Sequence, residues 1–333
     1  MKSSLRIAIA DESQVGQARR AVAEIAQRLG LEETLAGKAA IVVTEMARNL
    51  VRHAGGGELL IRELQDPQYT SLEFMAIDCG PGMRNVTECL RDGYSTFGSA
   101  GTGLGSIGRQ ADKLEIHSLP GRGTVVWARV CHPAHAAVSK GFEVGGVSVA
   151  LEREEVCGDA WEVLSTPDRL RVMVADGLGH GPFAEVAARE AIGVFRSSLN
   201  ESLSQLLLLV HQALGKTRGA AVAVGEITPA IGQARGAGVG NIATRLVHHT
   251  GSKNLVSDNG TLGASFRRAI ECTHPWQPGM LLVMHSDGVS SQWDLEDYPG
   301  LANRHPSVIA GVLYRDFKRT RDDATVVVAR YVP

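Results

Sequence analysis

Residues 174–181 read VADGLGHG, an Asp-Gly turn that directly follows a β-branched, apolar run typical of a buried strand. Three further aspartates occupy comparable places at the ends of predicted strands or in turns, namely Asp159, Asp287 and Asp322. Any one such turn is a common way to end a strand. Four carboxylates converging from strand ends would repel one another strongly unless cations lay between them. The pattern therefore predicts a carboxylate metal site.

Carboxylate oxygens are hard ligands, and hard ligands select Mg²⁺ or Mn²⁺. Two such ions about 3.5–4 Å apart can activate a bridging water for in-line attack on phosphorus. Residues 174–181 share the region of about 140–331 with three further motifs, TRGA at 217–220, VGN at 239–241 and NGTLG at 259–263. Together these motifs resemble the SpoIIE-type branch of the PPM family, the metal-dependent Ser/Thr protein phosphatases.

This resemblance implies catalytic and metal-binding roles for particular residues. Asp159 and Asp176 would hold the metals with help from the Gly177 carbonyl, and Asp287 and Asp322 would complete the second metal site. Asp323 stands where many relatives carry Asn, so it is a weaker ligand candidate. The metals would be two Mn²⁺ or Mg²⁺ ions.

Two other residues near these motifs keep alternative interpretations. His180 is either a proton donor to the leaving serine or a structural histidine of the glycine loop. Arg218 is the candidate for binding the substrate phosphate, although the sequence offers no further signal in its favour.

The N-terminal part has a polar pattern of its own on a predicted helix over about 32–54. Glu45, Asn49 and His53 are spaced four residues apart, so they share one helical face, opposite the apolar face. A carboxylate and an amide one turn apart can hold a water or a Mg²⁺ against phosphates. The alternative is a solvated polar stripe.

Two glycine-rich segments follow. Asp78 ends an apolar strand and begins DCGPG at 78–82, where the carboxylate can accept a hydrogen bond from an adenine amino group and glycines allow close backbone approach. A simple strand-ending turn would look the same. The segment GTGLG at 101–105 opens a predicted helix, whose free N–H groups suit phosphate.

In this order the three elements resemble the GHKL ATPase family over nearly all of residues 1–135. The resemblance implies that Asn49 binds Mg²⁺, that Asp78 binds adenine, and that Glu45 is the general base toward a substrate hydroxyl in the serine-kinase branch. ATP would be the cofactor, in a pocket lined by Gly80, Gly82, Gly101, Gly103, Leu104 and Gly105. Within the group of switch kinases and anti-sigma-factor kinases, the stretch DGYST at 92–96 looks most like the stressosome switch kinase, whose targets are not sigma factors.

The length of the chain and the change in its pattern of predicted helices and strands predict the domain organisation. A chain of 333 residues suggests two domains. We expect an α/β GHKL (Bergerat) sandwich over 1–133, with helices on one face of a mixed sheet. A linker over 134–140 would lead to an α-β-β-α sandwich of the PPM type over 141–333.

Charge and cysteine content exclude several classes of protein. Lys and Arg number 34 against 36 Asp and Glu, and neither half is basic, so nucleic-acid binding is not expected. The sequence contains no 18-residue apolar run that would span a membrane. The five cysteines are odd in number and form no CxxC pair, which favours reduced thiols in the cytoplasm.

The two resemblances together imply a bifunctional bacterial partner-switching regulator. The N-terminal domain would phosphorylate a serine or threonine of a STAS-domain antagonist or scaffold protein, and the C-terminal domain would remove that phosphate. In the alternative, the N-terminal domain binds ATP and a partner without kinase activity, as a docking or sigma-factor-sequestering module. A downstream regulator or sigma factor would then be a further partner.

Overall fold

The computed structural model describes residues 3–65, 70–90, 103–131 and 141–333. The chain divides into two compact units, Lys2–Val138 and Ser139–Pro333, called here the N-unit and the C-unit. The predicted linker over 134–140 lies outside the described residues. Within the described ranges, no helix has both the length and the apolar character needed to cross a membrane.

The N-unit contains one five-stranded sheet with the strand order β1-β2-β3-β5-β4. Its strands are β1 (Leu5–Ile9), β2 (Gly57–Gln65), β3 (Thr70–Ile77), β4 (Lys113–Leu119) and β5 (Gly123–Cys131). Every pairing between neighbours is antiparallel, so the expectation of a mixed sheet is wrong. The short connections from β2 to β3 and from β4 to β5 allow only antiparallel pairing, since a parallel pair needs a long crossover.

Helices cover one face of this sheet. They are α1 (Glu12–Leu29), α2 (Glu33–Asn49), α3 (Val86–Cys89) and α4 (Gly103–Gln110). Apolar residues of α1, α2 and α4 form a single core with the strands. Asp11 and Gln14 form a capping box at the start of α1, and Gly30 ends that helix with a φ of +63°.

The C-unit contains two antiparallel five-stranded sheets, ordered β13-β10-β9-β8-β7 and β12-β11-β14-β15-β6. The first sheet comprises β7 (Asp159–Ser165), β8 (Leu170–Gly177), β9 (Ala220–Thr228), β10 (Gln233–Val239) and β13 (Cys272–Pro275). The second comprises β6 (Gly141–Val149), β11 (Ala243–His248), β12 (Gly251–Asn254), β14 (Leu281–His285) and β15 (Ala324–Val332).

Helices α5 (Pro182–Ser197) and α6 (Leu203–Ala213) pack on the first sheet, and α7 (Pro306–Phe317) packs on β6 and β15 of the second. The alternation of side chains along β8 explains the layering. Met173 and Ala175 face α5 and α6, whereas Val172 and Val174 face the apolar core between the two sheets. The C-unit is therefore the predicted α-β-β-α sandwich.

Candidate active sites

In the N-unit, Glu45 and Asn49 lie on the last turns of α2 and face the first residue of α4. A methyl group placed on Gly103 would lie 3.1 Å from Asn49 Oδ1 and 3.4 Å from Glu45 Oε2. Glycine at this position lets α4 begin close to the two polar side chains without displacing them. The structure thus brings together three residues that the sequence assigned to one nucleotide site.

Glu45 already has a partner in this arrangement. Arg48, one turn along α2, donates from Nη1 to Glu45 Oε1 at 3.0 Å. The Glu45 side chain is 22% exposed, so solvent reaches the pair. A role as general base would require this carboxylate to exchange Arg48 for a substrate hydroxyl.

The sequence predicts that His53 shares an α-helical face with Glu45 and Asn49, but the α-helix ends before His53. Alpha-helical geometry ends at Asn49, and residues Leu50–Ala54 form a π-helical turn that Gly55 closes with a φ of +72°. The periodicity that placed His53 on that face applies only to an α-helix. Single π turns of this kind are often found at functional sites.

Asp78 lies directly after β3, and the backbone holds its carboxylate. Asp78 Oδ1 accepts hydrogen bonds from the Gly80 N–H at 2.8 Å and from the Thr124 N–H at 3.1 Å. A Cβ at Gly80 would meet Ala54 Cα at 2.8 Å, and Gly82, with a φ of +69°, lies against the Leu119 carbonyl. The first glycine segment therefore fits closely against the chain's own backbone.

The remaining residues assigned to the nucleotide pocket fall in or before α4. Leu104 packs against the apolar core, and Gly105 is half-buried on α4. Gly101 and the DGYST stretch at 92–96 lie outside the described residues.

In the C-unit, Asp159 and Asp176 are direct cross-strand neighbours, because β7 and β8 pair in this register. Asp159 is 5% exposed, and its Oδ2 accepts a hydrogen bond from Ser286 Oγ at 2.7 Å. Ser286 follows β14 in the second sheet, so this bond links the ends of the two sheets. Ser286 had not been assigned a role from the sequence.

Asp287 follows Ser286 and reaches the same region from the second sheet. Asn241 Nδ2 donates to Asp287 Oδ2 at 2.7 Å. The other oxygen, Asp287 Oδ1, is buried and has no hydrogen-bond partner within the described part of the chain. A buried carboxylate oxygen without a donor fits a cation ligand.

The carboxylates form one electrostatically coupled group. Burial and then the charges of Asp159, Asp287, Asp322 and Asp323 raise the pKa of Asp176 to about 9. Burial is also the main cause that raises the pKa of Asp159 to about 7, and the pKa of Asp322 is raised mainly by burial as well. Asp159, Asp176, Asp287 and Asp322 thus interact electrostatically, and burial makes the ionisation of Asp159, Asp176 and Asp322 costly.

Asp323, unlike Asp322, uses both of its carboxylate oxygens to accept backbone hydrogen bonds from distant residues. Its Oδ1 accepts from the Leu151 N–H at 2.7 Å and its Oδ2 from the Gly158 N–H at 2.8 Å. Both oxygens therefore hold the loop that leads into β7. Because both oxygens accept backbone hydrogen bonds, Asp323 is a weaker candidate for a metal ligand than Asp322.

Gly177 is fixed by packing. A Cβ at this position would collide with the carbonyl oxygen of Ala184, so α5 can approach the end of β8 only at a glycine. The Gly177 N–H donates to the Gly158 carbonyl at 3.1 Å. The predicted carbonyl ligand thus lies in a segment that its neighbours hold firmly.

His180 contacts a residue that sequence reasoning missed. Its Nδ1 lies 2.6 Å from Glu154 Oε1, in the loop before β7. A positive charge on His180 would lower the pKa values of Asp322 and Asp323, against the larger effect of burial. No local motif marks Glu154, because the contact joins two distant loops.

The donor set suits Mg²⁺ or Mn²⁺, since it consists of carboxylate oxygens. No group of three or more His, Cys, Asp or Glu side chains in the described ranges is already gathered as a metal site. Mg²⁺ usually keeps several waters and binds through one or two carboxylates, so it does not require such a group. The raised pKa values and the unpartnered Asp287 oxygen fit this mode of binding.

Two family models match the chain in the same order as the two units. Residues 8–130 match the histidine kinase-like ATPase domain, and residues 166–332 match stage II sporulation protein E (SpoIIE). The N-terminal region is also similar to serine/threonine-protein kinase RsbT of Bacillus subtilis. That relative is 30% identical over 122 residues, which are 37% of this chain and 92% of RsbT.

Solved structures also resemble the chain. One chain from work on the bacterial stressosome is 32% identical with a TM-score of 0.54, over 57% of this chain and 99% of the other. RsbX in complex with magnesium shares the fold at 20% identity and a TM-score of 0.50, over 59% of this chain and 98% of RsbX. The chain therefore belongs, through its C-terminal half, to the SpoIIE-type PPM phosphatases, and its N-terminal unit is a GHKL-like histidine kinase-type ATPase domain related to the RsbT kinase.

Proposed function

We propose that this chain both phosphorylates and dephosphorylates a small STAS-domain protein in a bacterial partner-switching pathway. The N-unit transfers phosphate from ATP to a serine or threonine, and the C-unit hydrolyses the resulting phosphate ester. The observation that carries the proposal is the presence, in one chain, of the Glu45–Asn49–Gly103 cluster and the coupled aspartate cluster. Both reactions would take place in the cytosol, where ATP is available.

In the C-unit, Asp159, Asp176, Asp287 and Asp322 would hold two divalent cations, with the Gly177 carbonyl as a further ligand. Bound cations would supply Lewis-acid catalysis and an activated water for attack on phosphorus. The chain's own contribution is positioning: Ser286 and Asn241 hold the Asp159 and Asp287 carboxylates by hydrogen bonds.

In the N-unit, Asn49 would hold Mg²⁺ beside the phosphates and Asp78 would accept a hydrogen bond from the adenine amino group. Glu45 would take the proton from the substrate hydroxyl as that oxygen attacks the γ-phosphate. The backbone N–H groups of Gly80 and Thr124 orient the Asp78 carboxylate. RsbT, which the N-unit resembles, is a serine/threonine-protein kinase.

A second candidate is that the N-unit binds ATP and a partner but transfers no phosphate. The ion pair between Arg48 and Glu45 favours it, because one oxygen of the proposed base is already engaged. The N-unit would then act as a nucleotide-dependent docking module, for the phosphatase substrate or for a sigma factor.

A labelling assay separates the two candidates. The chain is incubated with radiolabelled ATP, Mg²⁺, Mn²⁺ and a STAS-domain protein encoded beside its gene, and the label on the STAS protein is measured. We expect Asp176→Asn to leave the label on the STAS protein, because removal is blocked. Asp168→Asn is the matched control, since Asp168 is exposed in the turn at the opposite end of the same β7–β8 hairpin.

Adding Glu45→Ala to Asp176→Asn should abolish labelling, while Glu33→Gln, an exposed change in the first turn of α2, should not. ATP binding should persist in the Glu45 variant. If Asp176→Asn never labels the partner although it binds ATP and the partner, the kinase part of the proposal is wrong and the docking module remains.

A further inference from the structure

Three large apolar side chains are exposed just after the Asp176–Gly177 turn. Leu178 is 51% exposed, Phe183 is 66% exposed and Val186 is 56% exposed. Single exposed apolar residues are ordinary, but a group of them beside a site marks an interaction surface. We call Leu178, Phe183 and Val186 the apolar rim.

These residues follow Asp176 along the chain, in the loop after β8 and the first turns of α5. Phe183 and Val186 are three residues apart on α5, so they share a helical face, while the next residue after each of them, Ala184 and Ala187, is buried. Leu178 precedes the helix, and its N–H donates to the Gly219 carbonyl at 3.0 Å. The rim is thus built on a fixed loop and a helix.

Arg218 connects the parts of this surface. Its Cζ lies 4.7 Å from the centroid of the Phe183 ring, which is a cation–π contact. Its Nη1 lies 3.3 Å from the place that a Cβ at Gly179 would occupy. The guanidinium therefore spans from the loop after Asp176 to the start of α5.

The donors of Arg218 remain available for an anion. Arg189 and Arg196, both on α5, each pair with a glutamate. Across the ranges that the structure describes, no carboxylate pairs with Arg218, which stacks on the Phe183 ring. A guanidinium held in this way suits bidentate binding of phosphate oxygens.

We propose that the apolar rim and Arg218 form the docking surface for the phosphorylated segment of a protein substrate. Arg218 binds the phosphoryl oxygens, and the rim binds an apolar side chain next to the phosphorylated residue. The proposal rests on the proposed phosphatase function of the C-unit. The charge of Arg218 complements a phosphate dianion, and Leu178 of the rim is two residues from Asp176, a residue of the proposed site of hydrolysis.

A protein segment fits this surface better than a small phosphate ester. A small ester would engage Arg218 but would leave most of the rim in water. A peptide places side chains on both sides of its phosphorylated residue, so it can cover Phe183 and Val186 while the phosphate reaches Arg218. Burying such a side chain is a favourable, sequence-dependent term.

Two phosphoserine peptides test this, one with leucine on both sides of the phosphoserine and one with serine in the same positions. For the full chain with Mn²⁺, we expect kcat/KM to be about tenfold higher for the leucine peptide. Phe183→Ala and Val186→Ser should each bring the ratio toward one. Both peptides undergo the same reaction, so a catalytic defect cancels from the ratio.

Ile231→Ala is the matched control, because Ile231 is exposed to a similar extent, 64%, in the turn between β9 and β10. It should keep the wild-type ratio. Arg218→Ala should raise KM for both peptides alike, by about tenfold, because it removes the phosphate contact that the two share.

A wild-type chain that does not distinguish the peptides, or rim variants that keep the ratio, would overturn the docking surface. So would a rim that proves to join two copies of the chain, seen as a change in oligomeric state without a change in the ratio. Hydrolysis of p-nitrophenyl phosphate separates the two proposals. If wild-type protein hydrolyses it, only the docking surface fails; if it hydrolyses neither this ester nor the peptides, the phosphatase function fails too.

Discussion

At Asp176, burial and neighbouring carboxylates raise the pKa of the side chain from 3.8 to about 9. The folded chain therefore keeps this proton to a higher pH than the unfolded chain does. With a raised carboxyl pKa, the free energy of unfolding decreases as pH rises from 3.8 toward 9, because the ionised side chain of the unfolded chain must take up a proton when the chain folds. Cations bound at the cluster would offset this cost, so the site couples metal binding to stability.

We predict that Asp176→Asn stabilises the metal-free protein although it inactivates the phosphatase. In EDTA at pH 8 the wild-type Asp176 must take up a proton on folding, whereas Asn does not, so the variant should raise the free energy of unfolding by roughly 2 kcal/mol, or the Tm of the C-unit by about 4–8 °C. Calorimetry measures this directly.

Asp168→Asn, in the exposed turn of the same hairpin, should leave the Tm nearly unchanged. With Mn²⁺ the wild type should have a higher Tm than Asp176→Asn, because the wild type gains stability from binding the metal and the variant does not. A variant that melts below the wild type in EDTA would show that the cluster is not under electrostatic strain.

Among the elements, the central strands of both units carry a buried glutamate between two arginines. In the N-unit, Glu73 on β3 pairs with Arg62 on β2 and with Arg129 on β5. In the C-unit, Glu226 pairs with Arg171 and Arg235 across β8, β9 and β10. Removing the acid from such a group leaves buried positive charge unpaired.

Glu73→Gln should destabilise the N-unit in a pH-dependent way. Burial alone would raise the pKa of Glu73, but Arg62 and Arg129 outweigh it and lower the pKa from 4.5 to about 2. A lowered carboxyl pKa contributes stability above pH 4.5, which is lost as pH falls toward 2. We expect a loss of about 3 kcal/mol at pH 7, read from hydrogen exchange of N-unit peptides.

The difference between Glu73→Gln and wild type should shrink as the pH is lowered from 4.5 toward 2, since the glutamate of the unfolded wild-type chain becomes protonated in this range while the folded chain keeps its charge. Glu226→Gln provides the comparison, with its effect measured in C-unit peptides. An equal loss at pH 7 and at pH 3 would mean that the Glu73 charge does not contribute.

Elements with regular apolar periodicity could be predicted from the sequence, and those without it could not. Helix α1 and strand β8 carry clear patterns, whereas Gly251–Asn254 is a short edge strand with every residue exposed. The π-helical turn after Asn49 follows no local rule. Glu154, Ser286 and Asn241 join the phosphatase site through contacts between distant segments, which periodicity does not report.

At the scale of the whole molecule, the two proposed reactions add up to a cycle. The N-unit would convert ATP and a serine hydroxyl into ADP and phosphoserine, and the C-unit would convert phosphoserine and water into serine and inorganic phosphate. The sum is hydrolysis of ATP with the STAS protein regenerated. A chain with both activities should therefore show ATP hydrolysis that depends on its partner.

The most direct test is the amount of inorganic phosphate released from ATP by the wild-type chain with a small, known amount of the STAS protein, Mg²⁺ and Mn²⁺. The account predicts many phosphates per partner molecule, none without the partner, and loss of this release in both Glu45→Ala and Asp176→Asn. Release of no more than one phosphate per partner, or release that persists without the partner or in both variants, would contradict it.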